Sequence, residues 1–510
     1  MNERPKRTSF LIIGLGLLNV IIHLLVVDNL EYHRDELLYF SLGLHPDFGY
    51  ATVPPMIGWI AALIQTIFGY SLFAVKLFPA LLGGVLVWLS ARINSELGGS
   101  SYAQILTAIA LIVTPFSLRT FHLFQPVSID LVLWTFIFYH AIRFINTQDK
   151  KYIIGIGVIA GFAMLNKYLV LLLLAGLLVS ILVTSHRIIF RKKSLYLAVG
   201  FAFLIFLPNL IWQIVNDFPV IGHMQALNER QLVNLDRTTF LFDQINMTFA
   251  TSIVMILGLA FLLKTKKYHF LGYAVLFIIG VLLLLRGKSY YTLGVLPLLI
   301  AAGAVFVERF VQNQLLRWAI PLFMVLMTIP IIPYGLPIYK QDGMVSYFKD
   351  LEDDFGLLLG RRFEDGSIHS LPQDYADQLG WEELTRLTNE AYQKIPEKEK
   401  SIIYCENYGQ AGAIAVIGKK YNLPEPKSFN ESFLYWSSHT FVPDIEHFIY
   451  INDELGEDVA DLFQHIELVG QLSNIHAREY GTKVYLCSRP KTSFNIFWKQ
   501  VLERVNGNPF

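Results

Sequence analysis

Cysteine is nearly absent from this chain of 510 residues: Cys405 and Cys487 are the two, both in the C-terminal part. No C-x-x-C or H-x-x-x-H pattern occurs, so nothing points to a structural zinc site. The two thiols are expected to be unpaired core residues; a disulfide between them is the alternative in an oxidising compartment. Charge is scarce as well, at 16% of residues, against about 25% in a soluble protein. The formal net charge is zero, which argues against nucleic acid as a partner. Internal repeats are missing, and this weighs against a transporter built from duplicated halves. The C-terminal region has neither G-x-G-x-x-G nor a Walker A loop, so no nucleotide fold is expected there.

What the chain has instead is apolar sequence: 54% of residues are hydrophobic, with a mean hydropathy of +0.45. Eleven apolar stretches recur, at 9–27, 72–91, 102–118, 126–142, 152–166, 168–185, 195–213, 245–263, 268–285, 291–307 and 318–336. Most approach the length that crosses a bilayer. No small-residue cleavage site follows Val27, so the first stretch is expected to stay as an anchor rather than be removed. The segment 55–68 is apolar but short, starts at Pro54-Pro55, and is expected to lie in the interface. With the N-terminus placed in the cytoplasm, sixteen Lys and Arg fall on inner segments and eight on outer ones. That bias fits the positive-inside rule, and an odd number of spans then puts the C-terminal region outside.

The composition changes near residue 337, after which the chain is polar to its end. Strands are predicted at Ser401–Cys405, His447–Ile451 and Thr482–Leu486, with helices at Trp381–Tyr392 and Gln410–Lys420. Alternation of this kind predicts a soluble α/β domain with a largely parallel sheet. The expected division is 1–338 for the membrane part, with a first outer loop at 28–71, and 339–510 for an extracytoplasmic domain.

Candidate chemistry clusters on the outer face. Glu31-Tyr32-His33-Arg34-Asp35-Glu36 follows the first span directly, with apolar and Pro-rich sequence close behind. Moving a sugar from a lipid phosphate needs a base for the acceptor proton and positive charge for the leaving phosphate. Asp35 and Glu36 are candidates for the first need; equally, they could only favour the positive start of a helix. Asp130, at the outer end of a span, is too costly to face lipid, so it faces a wet cavity or pairs with Arg119 or His122. Lys167 lies between spans, where a lysine can also snorkel to lipid phosphates. Arg286-Gly287-Lys288-Ser289-Tyr290-Tyr291 gathers two cations and two phenols in one short loop. Such a loop can grip a phosphate or merely anchor the interface. The polar segment 216–243 has the length of a lid or binding loop.

The ordered set Y-H-R-D-E-L-L-Y-F (Tyr32–Phe40), G-Y-A-T-V-P-P-M (Gly49–Met56), F-Q-P-V-S-I-D (Phe124–Asp130), L-N-K-Y (Leu165–Tyr168), L-P-N-L-I-W-Q (Leu207–Gln213) and G-K-S-Y-Y-T-L-G-V-L-P (Gly287–Pro297) resembles a known family. E-N-Y-G-Q-A-G-A-I (Glu406–Ile414) resembles a turn in the C-terminal domain of its bacterial members. The family is that of the lipid-linked-sugar glycosyltransferases of the GT-C fold, the glycosyltransferase family 39-like relatives of protein O-mannosyltransferases and aminoarabinose transferases. The resemblance implies a polytopic α-helical protein of the bacterial inner membrane, with about 11–13 transmembrane helices and an outer active site. It implies transfer of a sugar from a polyprenyl-phosphate donor, with inversion, to an acceptor lipid, glycan or protein. Asp35 then corresponds to the base and Lys288 to a contact of the donor phosphate, with Arg286, Tyr290, Tyr291 and Lys167 near it. Glu36 is grouped with Asp35, and Asp130, His33 and Arg34 support the site. No cofactor is assigned; a divalent metal stays open, with His33, Asp35, Glu36, His45 and Asp47 as conceivable ligands. The reading from another class is a membrane transporter or lipid flippase.

Overall fold

The computed structural model describes residues 3–230, 236–363 and 366–506. All eleven expected apolar stretches are helical. Seven helical stretches are individually long and apolar enough to cross a membrane: Arg7–Asn29, Leu72–Glu96, Pro126–Thr147, Lys193–Val215, Arg237–Lys264, Ser289–Phe310 and Gln314–Gly335. Val170–Leu182 and Ser185–Arg191 make an eighth if the pair, bent by 109°, is one span. Ser101–Val113, Lys150–Asn166 and His269–Leu284 are shorter apolar helices. The chain is a multi-pass membrane protein. Met56–Phe68, at 13 residues, is too short to cross.

The membrane helices pack around a first core that includes Trp134, Phe138, Leu271, Leu298 and Ile300. Local sequence sets where several helices begin. Pro126 occupies the first turn of its helix, where a missing N–H costs nothing. Asp149 and Asp236 cap the helices that follow them with their side chains.

Beyond residue 340 lies a four-stranded sheet with helices. The strands are β1 (Ser401–Cys405), β2 (His447–Asn452), β3 (Phe463–Gln471) and β4 (Lys483–Pro490), in the order β1-β2-β4-β3. β1 and β2 run parallel, whereas β2–β4 and β3–β4 are antiparallel. The expected largely parallel sheet is therefore corrected to a mixed one. The cause is β3, whose polar run Gln464-His465-Ile466-Glu467 carries little strand signal and is mostly exposed at the sheet edge. It inserts a return strand where a crossover was expected. Cys405 and Cys487 are buried and free, on β1 and β4 with β2 between them.

The loop 28–71 and the C-terminal region share one hydrophobic core. Leu37 and Phe40 from the loop, Phe124 from the membrane part, and Trp381, Ile403 and Ile414 from the C-terminal region all belong to it. A Cβ on Gly412 would come within 2.8 Å of the Leu37 backbone, so only glycine lets this helix seat against the loop.

Candidate active site

The helix Arg34–Ser41 starts with a capping box. His33 Nδ1 accepts from the Asp35 N–H at 3.0 Å, and the Glu36 carboxylate accepts from the His33 N–H at 2.9 Å. The ring proton of His33 therefore sits on Nε2, which faces Asp374 at 3.7 Å and Asp377 at 3.9 Å. The box fixes which way each carboxylate points.

Glu36 points inward and is fully buried. One oxygen accepts from Lys76 Nζ at 2.7 Å and the other from the Phe124 N–H at 2.7 Å. It ties the loop to the helix Leu72–Glu96 and to the turn before the helix Pro126–Thr147, and its full burial keeps it from a substrate. Asp35 points the other way and is half-buried. Its oxygens accept from Tyr408 Oη at 3.0 Å and Gln125 Nε2 at 3.1 Å. A carboxylate offers about four lone-pair positions, so Asp35 keeps room for an incoming proton. Arg34 lies over the Tyr408 ring, 4.4 Å from its centroid, and 4.0 Å from Glu479.

The cationic side of the site comes from elsewhere in the chain. Lys167 Nζ stands 5.0 Å and 4.9 Å from the ring centroids of Tyr290 and Tyr291. Lys167 also feels the charges of Asp130 and Lys288. Asp130 is 97% buried and one of its oxygens has no hydrogen-bond partner. Tyr290 is within electrostatic reach of both Asp35 and Arg119. Asp35, Lys167, Lys288, Tyr290, Tyr291 and Asp130 thus form one neighbourhood. Arg286 is exposed beyond the end of its helix, at φ +54°.

The sequence motifs hold this neighbourhood in place. Asn166 donates to the Pro126 carbonyl at 2.9 Å, and Tyr168 Oη to Asn209 Oδ1 at 2.6 Å. Asn209 in turn donates to the Phe48 carbonyl at 2.7 Å. A Cβ on Gly49 would lie 2.2 Å from the Trp212 ring, which explains glycine beside Phe48.

Several residues of this site carried no separate sequence signal. From sequence Arg119 is only a candidate partner of Asp130; in the structure it makes a bidentate pair with Asp374, Nη2 to Oδ1 being 2.8 Å. The Arg119 guanidinium outweighs burial and holds the Asp374 carboxyl far below the usual range. The backbone N–H of Arg34 donates to Asp377 O, and that of Glu31 to Gln378 O. Glu31 accepts from the N–H groups of Gly380 and Glu382 at the start of the Trp381–Gln393 helix. Tyr408 lies in E-N-Y-G-Q-A-G-A-I, a motif that by itself gives it no role. Glu431 had no signal at all. Burial, more than the nearby charge of Asp35, pushes its carboxyl up to about 7.

Beside Asp35 opens a cavity of about 1170 Å³, lined by Thr52, Tyr408, Glu431, Phe218, Pro219 and His223 among others. The segment expected to be a lid or binding loop contributes its helix Pro219–Arg230 to that wall. Its residues 231–235 lie outside the described residues. The five conceivable metal ligands do not converge. Glu36 is sealed with Lys76, His45 bonds Glu425, and Asp47 accepts from Trp212 Nε1 at 2.9 Å. Among the described residues no group of three His, Cys, Asp or Glu could hold a metal ion.

Comparison with known proteins gives this arrangement a context. The family model described as dolichyl-phosphate-mannose-protein mannosyltransferase matches residues 52–212. The chain is 24% identical over 235 residues to the lipid A galacturonosyltransferase RgtD of Rhizobium johnstonii. That match spans 44% of this chain and 46% of the relative, less than half of each. The fold is similar to ArnT from Cupriavidus metallidurans bound to undecaprenyl phosphate, with a TM-score of 0.63 at 14% identity, covering 94% of this chain and 97% of that one. Arabinofuranosyltransferase AftD from Mycobacteria aligns with a TM-score of 0.50 at 12% identity, over 92% of this chain and 41% of the larger one. The chain thus shares its overall fold with ArnT and, over residues 52–212, is similar to the dolichyl-phosphate-mannose-protein mannosyltransferase family.

Proposed function

We propose that this protein is an integral membrane glycosyltransferase that moves a sugar from a polyprenyl-phosphate donor to an extracytoplasmic lipid, glycan or protein acceptor. The observation that carries the reading is the division of the site. Asp35 is held by Tyr408 and Gln125 with acceptor capacity to spare. The ammonium groups of Lys167 and Lys288 gather with two phenols within electrostatic reach of it.

In this mechanism the acceptor's O–H or N–H loses its proton to Asp35 as the heteroatom bonds to the anomeric carbon. The bond from that carbon to the phosphate oxygen breaks, and its electron pair leaves with the phosphate. Attack opposite the leaving group inverts the anomeric centre. Lys288, Lys167 and the two phenols stabilise the charge that builds on the phosphate. Glu36, paired with Lys76, and Asp130, beside Lys167, position these groups, and neither carboxylate touches the reacting atoms. His33 and Arg34 fix the loop. The domain 339–510 lies outside the cell membrane and the N-terminus in the cytoplasm.

The test is a transfer assay with purified protein and a polyprenyl-phosphate sugar, following release of polyprenyl phosphate. Release that needs an acceptor and vanishes in Asp35→Asn supports the reading. Intact donor across a panel of lipid, glycan and peptide acceptors would reject it.

A further inference from the structure

The cavity of about 1170 Å³ has a charge character opposite to that of the phosphate side. Four carboxylates reach its wall: Asp217, Glu406, Glu431 and Asp458. Arg504 also lies on that wall, and it bonds Asp458 at 3.0 Å. No lysine lines it. Phosphate or uronate brought there would meet carboxylates without a free countercharge, which is unfavourable at short range in a partly dry site. Lys167 and Lys288, where the donor phosphate is proposed, are not among the cavity's lining residues, although Lys288 is within electrostatic reach of His223 on the wall.

The rest of the wall is aromatic. Tyr435 and Phe218 expose 45% and 37% of their surface at the rim, and Tyr408 lies toward Asp35. A flat apolar face beside a few fixed polar groups suits a sugar ring, whose C–H face stacks while its hydroxyls bond the carboxylates.

Glu431 is the built part of this wall. Its backbone holds φ +56°, a left-handed conformation that a non-glycine residue keeps only where its surroundings impose it. Thr52 Oγ1 donates to its carboxylate at 2.5 Å, and Asn430 Oδ1 accepts from the Tyr408 N–H at 3.1 Å. The residue that holds Asp35 and the residue that faces the cavity are thereby joined in one turn. Glu406 is exposed and accepts from Tyr450 Oη at 3.4 Å.

We propose that this cavity receives the acceptor, and that the acceptor is a neutral or amine-bearing carbohydrate, read by Glu431 and Glu406 against the aromatic rim of Tyr435 and Phe218. The proposal rests on the glycosyl-transfer reading and names the acceptor class of that reaction.

The test measures binding to the full-length protein in nanodiscs by saturation-transfer NMR and calorimetry. The probes are chitobiose (neutral), a glucosamine disaccharide (amine-bearing), the same disaccharide carrying two phosphates, and each of the first two attached to a lipid. The neutral and amine-bearing probes are expected to bind at least tenfold more tightly than the phosphorylated one. Glu431→Gln and Tyr435→Ala should each weaken them by about tenfold. Glu406→Lys, at an exposed position, should shift preference toward the phosphorylated probe, an effect that misfolding does not produce. Tighter binding of the lipid-attached forms identifies a glycolipid acceptor; equal binding identifies a free glycan. Equal or tighter binding of the phosphorylated probe to the wild type, or indifference to all three substitutions, overturns the proposal. Binding of undecaprenyl phosphate is measured in parallel. Its failure alone rejects the donor reading and leaves the carbohydrate site standing.

Discussion

Tyr408 donates its phenol proton to Asp35 at 3.0 Å across 373 positions of sequence. The C-terminal region is thus part of the candidate site rather than an appendage. It reaches the loop 28–71 through Tyr408 and through the shared core around Trp381, and the helix Pro115–Thr120 through the bidentate Arg119–Asp374 pair.

Asp35→Asn keeps the size and both hydrogen-bond partners within reach but removes the base. Turnover should fall by roughly two orders of magnitude or more while the melting temperature holds. Tyr408→Phe should lower kcat by about tenfold, the scale of one lost hydrogen bond to a charged group, and leave donor KM nearly unchanged. Full turnover in Asp35→Asn would place the base elsewhere.

Lys288→Ala and Lys167→Ala should each reduce turnover by about two to three orders of magnitude, by analogy with the loss of one preorganised donor. Lys288→Arg should restore part of it, because charge is kept and geometry changes. An unaffected Lys288→Ala would leave that loop as an interfacial anchor.

Lys76→Ala strands the Glu36 carboxylate in a sealed site. Breaking a buried pair from one side costs about 3–5 kcal/mol, so thermal unfolding should shift strongly downward. Pairing it with Glu36→Gln should recover much of the loss. A small shift in the single variant would mean that water reaches Glu36.

The Glu431 carboxyl, pushed up to about 7 by burial, binds its proton more tightly in the folded than in the unfolded chain. Wild-type stability should therefore fall as pH rises from the ordinary glutamate range through about 7. Glu431→Gln does not titrate, so its melting temperature relative to wild type should climb between pH 5 and 8. A difference that stays flat over that range would show that Glu431 ionises normally.

The proposed orientation is checked by labelling. His439→Cys, on an exposed stretch with both native cysteines buried, should react with an impermeant thiol reagent on intact cells. Reaction only after permeabilisation would put the C-terminal domain, and with it the candidate site, on the cytoplasmic face.

Sequence alone determined what depends on local composition and period. Runs such as 72–91 and 291–307 have nowhere to go but a bilayer. Ser401–Cys405 announced a buried strand by its short apolar run, and the motifs from Tyr32 to Pro297 carried the resemblance to the lipid-linked-sugar glycosyltransferases. Tertiary structure decided what depends on direction and long-range pairing. Asp35 and Glu36 are adjacent and chemically alike, and only the capping box turns one toward Tyr408 and the other toward Lys76. β3 has no apolar alternation because it lies exposed at the sheet edge, so the mixed sheet could not be foreseen. Glu431 meets Thr52 across 379 positions, and nothing local marks either residue. Carboxylates in a sequence are interchangeable until folding assigns each its partners and its share of water.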